Sequence, residues 1–70
     1  MGSMTWKNLA THYALISYDR GIQARVTRDP LSSHWIVQAR NRAGGWNYGN
    51  ATTKNAAMRL ARHMLREEQI

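Results

Sequence analysis

Between Gly21 and Arg40 apolar and polar residues alternate in two runs. "IQARVTR" sets Ile22, Ala24 and Val26 against Gln23, Arg25 and Thr27. "HWIVQAR" sets Trp35, Val37 and Ala39 against Ile36, Gln38 and Arg40. A period of two predicts strands with one buried face. "DPLSS" supplies the turn between them, with Pro30 fixing its backbone. "NRAGG" is a flexible hairpin connection to a short third strand, "GWNY", that ends near Gly49.

Beyond Gly49 the period changes. Ala57, Leu60, Ala61, Met64 and Leu65 fall on one stripe at helical spacing, with Arg59, Arg62 and Arg66 on the polar side. Thr52 or Thr53 can cap this helix. The first segment, "TWKNLATHYALISYDRGI", also fits helical spacing, through Trp6, Leu9, Ala10, Tyr13 and Ile16 or Ser17. Thr5 is a candidate cap, and Gly21 stands where a left-handed residue would end the helix, with Ile22 making the accompanying contact. "HYALISY" alternates only weakly, so the pattern predicts a helix.

The expected fold is α+β in the order α-β-β-β-α, a three-stranded antiparallel sheet with both helices on one face. The other face stays open. If Ile22, Trp35 and Val37 point at the helices, then Gln23, Arg25, Thr27, Ile36, Gln38 and Arg40 point away, and Trp46 can join them from the third strand.

Seventy residues allow one domain, expected over 4–70. Such a chain buries only about 60% of the surface it exposes when unfolded, so its core is thin. Without cysteine it has neither disulfides nor a thiolate metal site, which fits a cytoplasmic, intracellular setting. The leading "MGSM" reads as a cloning scar over residues 1–3, with Met4 as the native start. No signal peptide or bilayer-length apolar run is visible, so a soluble protein without a membrane partner is expected.

The charge sharpens the picture. Ten Lys and Arg face four Asp and Glu, a formal +6, and eight of the ten are arginine. Arginine suits phosphate and base-edge forks better than lysine does. A polyanion is therefore the first partner to consider, double-stranded nucleic acid above all. The open face would offer it forked donors, amides that read base edges, and an aromatic.

The middle and end of the chain resemble the three-stranded DNA-binding domain of AP2 plant regulators and of some integrase N-terminal domains. The matching residues are "GIQAR" at Gly21–Arg25, "WIVQAR" at Trp35–Arg40, and "WNYG" ahead of "TTKNAA". The resemblance implies that Arg25, Arg40 and Trp46 contact bases or backbone. The family has an arginine at Gln23, a glutamate at Gln38 and an arginine at Gly44. The predicted order α-β-β-β-α is also similar to that of a double-stranded-RNA-binding domain, whose lysine cluster at the last helix survives here only as Lys54. Gln23 and Gln38 are then candidate base-edge readers, and Arg42 and Lys54 candidate phosphate contacts.

Catalytic chemistry has less support. A zinc site would need three or four clustered ligands, and His12, His34 and His63 stand far apart along a chain without cysteine, so no metal and no cofactor is expected. "SSHW" around His34 is similar to the histidine segment of HicA-type toxin ribonucleases, which would make His34 a general acid or base. A third reading is a phage- or plasmid-type module that binds and inhibits a host enzyme, with Ile36 and Trp46 as protein-contacting anchors. The reading preferred from sequence is a non-enzymatic, duplex-binding protein, with DNA slightly ahead of RNA.

Overall fold

Six elements follow one another along the chain: β1 (Met4–Asn8), β2 (Tyr13–Ser17), β3 (Gly21–Arg28), β4 (Trp35–Arg40), β5 (Trp46–Ala51) and α1 (Lys54–Glu68). The computed structural model describes residues 4–68; residues 1–3, read above as a cloning scar, and the final two lie outside the described residues. The strands form one five-stranded antiparallel sheet in the order β1-β2-β3-β4-β5. The expected three-stranded α-β-β-β-α fold is therefore wrong at its first element. The three later strands and the last helix lie in the segments expected of them, except that β5 runs on to Ala51 rather than ending near Gly49.

The N-terminal segment is a hairpin rather than a helix. Asn8 pairs with Tyr13 and Trp6 with Leu15, and the Leu9 amide donates to the His12 carbonyl at 2.8 Å across the turn. Leu9, counted above in an apolar stripe, sits in that turn. β2 hides its alternation because it is dry on both sides: Ala14 and Leu15 are both fully buried. A strand covered on both faces reads as an apolar run, which spacing alone cannot tell from a helix. Gly21 does adopt the left-handed conformation, φ 77°, but it closes the β2–β3 turn.

One side of the sheet carries the core. Leu15, Ala24, Val26, Val37 and Ala39 are wholly buried there, together with Ala57 and Ala61 of α1. Full burial of Leu15, Val26 and Val37 contributes about 1.5–3 kcal/mol each. Thr53 is the residue that caps the helix: its Oγ1 accepts from the Ala56 amide at 3.1 Å. Small residues let α1 sit close. A Cβ added at Gly49 would come within 3.2 Å of Leu60 Cδ2 and 3.5 Å of Met64 Sδ. Trp35 lies on this side, its ring 6.1 Å from that of Tyr13. No helix among the described residues is long and apolar enough to cross a membrane.

Ile22 departs from its expected place. The β2–β3 register shifts so that Leu15 faces Ala24 while Ile16 faces Ile22, which leaves Gln23 as an extra, bulged residue. Ile22 thereby shares the face of Ile16, away from the helix-side core.

Candidate nucleic-acid interface

On the sheet face opposite α1, cross-strand pairing sets the side chains in rows. Arg40 faces Trp46; Arg25, Gln38 and Tyr48 form the next row; Thr27, Ile36 and Asn50 form a third. Pairing through β2 and β1 extends the second row to Ala14 and Lys7. These positions are fixed by strand alternation and by the burial of their neighbours Ala24, Val26, Val37 and Ala39 on the other side.

Trp46 is the centre of the arrangement. The Arg40 guanidinium carbon stands 4.6 Å from its ring centroid and that of Arg25 stands 5.1 Å away. Cations at such distances are held by the ring quadrupole. Arg40 is fixed a second time, because its Nε donates to the Ile22 carbonyl at 3.0 Å. Arg25 Nε is buried and has no hydrogen-bond partner. Both guanidiniums are thus oriented before anything binds.

The face is electrostatically one-sided. Lys7, Arg25 and Arg40 lie on it. The four carboxylates lie elsewhere: Asp19 in the β2–β3 turn, Asp29 in the β3–β4 loop, and Glu67 and Glu68 at the end of α1. Asp19 accepts from Ser17 Oγ at 2.8 Å, and this bond is the main cause holding its carboxyl below the ordinary 3.8. Asp29 is held below 3.8 chiefly by the Leu31 amide and then by the Ser32 hydroxyl. Both are turn-closing groups with their hydrogen-bonding capacity committed locally.

Of the residues singled out from sequence, Arg25, Gln38, Arg40 and Trp46 are brought together. Gln23, Arg42 and Lys54 are not in that group. Gln23 donates from Nε2 to the Arg20 and Gly21 carbonyls, at 3.1 and 3.3 Å, and so closes the turn. Arg42 lies in the β4–β5 hairpin and donates from Nε to the Glu68 carbonyl at the end of the helix. Lys54 is in the first turn of α1, with Nζ 4.8 Å from the Tyr13 ring centroid, on the helix side. Arg59, Arg62 and Arg66 are exposed on α1, across the molecule from the open face.

Two residues escaped the sequence reading. Tyr48, 68% exposed, lies two positions along β5 from Trp46 and shares its face. Continuing the alternation from Trp46 would have found it. Lys7 was hidden by the helical reading of its segment. His34 follows the β3–β4 loop, and its carbonyl accepts from the Asp29 amide at 2.8 Å. No group of three or more His, Asp or Glu side chains that could hold a metal occurs among the described residues.

The arrangement offers a polyanion two oriented guanidiniums, one ammonium, an aromatic pair and an amide, a set suited to phosphates, sugars and base edges together. No family model, curated protein or solved structure matches this chain.

Proposed function

We propose that this chain binds double-stranded nucleic acid, DNA in preference to RNA, through the open face of its sheet. One observation carries the reading: Trp46 holds two arginines, Arg25 and Arg40, on an exposed face without acidic groups among the described residues. An ordinary solvated sheet face has no need to stack guanidiniums on a tryptophan. The DNA preference follows from groove shape. The major groove of B-form DNA admits strands, whereas that of A-form RNA is deep and narrow and excludes side chains. Arg40→Ala should weaken duplex binding and lower the slope of log affinity against log salt by about 0.9, while Arg62→Ala on the opposite side should matter less. Equal losses from the two would mean that the binding face is wrongly assigned.

The exposure of Ile36 (38%) and Tyr48 (68%), diagonal neighbours on this face, favours a second reading. In it the face docks on a protein, such as a host enzyme that it inhibits, with the two side chains as anchors. Such an interface would respond little to salt.

A further inference from the structure

The helix α1 packs over β3, β4 and β5 but not over β1 or β2. On one side, therefore, the sheet runs out past its cover. There Met4 and Trp6 of β1 stay half-buried against the core. β1 is also the end of the strand order: one edge pairs with β2, and no strand among the described residues pairs with the other. Between this strand and the C-terminal half of α1 lies a recess of about 200 Å³, lined by Met4, Arg62, Leu65 and Arg66. We propose that this edge and its recess take up an extended segment of a partner protein, one that carries an apolar side chain flanked by carboxylates.

Each part of that description answers to the chemistry of the site. The outer edge of β1 presents main-chain N–H and C=O groups, and only another polypeptide strand meets them as a ladder. A lipid or a nucleic acid has no such ladder to offer. The floor of the recess is apolar, made by Met4 and by Leu65, which is 7% exposed. Drug-sized ligands need about 300–1,000 Å³, so this volume suits one side chain rather than a separate small molecule. Arg62 and Arg66 stand four residues apart at the rim, on one side of α1, and both are exposed. Neither has a hydrogen-bond, ion-pair or ring partner among the described residues. No carboxylate among the described residues lines the recess to cancel their charge. Glu67 pairs with His63 at 3.2 Å, Glu68 accepts from Asn47 on the β5 side, and Asp19 accepts from Ser17 Oγ. The same two arginines argue against a second copy as the occupant. Antiparallel pairing of two β1 strands would join two chains of charge +6, with both pairs of rim arginines on one side of the sheet. An acidic segment neutralises them instead. The site is on the helix side, so duplex binding on the opposite face neither supplies it nor requires it.

The probe is a capped heptapeptide, Thr-Glu-Thr-Leu-Thr-Glu-Thr, whose alternation sets Leu between two Glu on one face of a strand. In two-dimensional NMR titrations at low salt it should shift the amides of residues 4–8 and 62–66. Peptides with Gln for Glu, or with Ser for Leu, should bind several-fold more weakly. Of two peptides N-methylated at odd or at even positions, one should lose binding, because its donors to β1 are gone. Arg62→Ala and Arg66→Ala should each weaken the peptide about threefold, whereas Arg28→Ala, at the far end of β3, should leave it unchanged. No shift of residues 4–8 up to about 1 mM peptide would overturn the proposal. So would equal affinity for the Glu and Gln peptides, or undiminished binding of both N-methylated ones. A dimer in sedimentation whose β1 amides do not respond to the peptide would also overturn it, by giving the edge to a second copy.

Discussion

Arg40 and Trp46 face each other across β4 and β5, with the guanidinium carbon 4.6 Å from the ring centroid and Arg40 Nε bonded to the Ile22 carbonyl. The tryptophan is thus a platform for cations and not a core residue. Trp46→Ala should lower duplex affinity about tenfold or more, whereas Trp46→Phe should retain part of it. Thermal unfolding should show a smaller stability loss than Val37→Ala, which empties a fully buried position. Equal affinity for the parent and Trp46→Ala would remove the tryptophan from the interface.

Arg25 is expected to separate stability from function. Its Nε is buried without a partner, a cost of about 1–3 kcal/mol, while its contact with Trp46 returns about 0.5–1 kcal/mol. Arg25→Met keeps the packing and removes the unsatisfied donor. Urea unfolding should therefore find this variant as stable as the parent or up to about 1 kcal/mol more stable, with weaker duplex binding. A marked loss of stability would mean that the guanidinium is a structural strut.

How much of this was legible in the sequence follows from where faces are dry. The strands β3 and β4 have one wet face, so Arg25, Gln38 and Arg40 alternate visibly with Ala24, Val37 and Ala39. Trp46 and the α1 stripe were equally readable. In β2, by contrast, Ala14 and Leu15 are both fully buried, and the alternation vanishes. Trp6 and Tyr13 then imitate a helical face by accident of spacing. Gly21 was correctly read as a left-handed position, but that geometry serves a hairpin as well as a helix end. A bulge is a one-residue local event, so nothing in the pattern foretold that Gln23 would be the extra residue and shift Ile22 to the other face.

The seat of α1 depends on the missing side chain at Gly49. Leu60 Cδ2 and Met64 Sδ already lie 3.2 and 3.5 Å from where a Cβ would stand, so the isopropyl group of Gly49→Val must push the helix off β5. The expected cost is about 1–3 kcal/mol, read as a lower midpoint in urea or heat. An unchanged midpoint would mean that the helix slides freely over this strand.

Acid should weaken the fold through its turns. Asp19 and Asp29 have carboxyls held below the ordinary 3.8, so their contribution is complete above that value and fades as pH falls through their folded-state values. Thermal midpoints should change little on these groups' account between pH 7 and 5, then drop below 3.8. Asp29→Asn should soften the acid drop, because the amide oxygen can still accept from Leu31 without titrating. An acid loss identical to that of the parent would exclude Asp29 as a contributor.

The most direct test of duplex binding is fluorescence anisotropy with equal-length double-stranded DNA, double-stranded RNA and single-stranded DNA. Each is titrated at about 50 and 200 mM salt. With Lys7, Arg25 and Arg40 each meeting a phosphate, duplex DNA should bind most tightly and lose roughly 40-fold in affinity over that range. No duplex binding at the lower salt, or an affinity indifferent to salt, would contradict the account and direct attention to a protein partner.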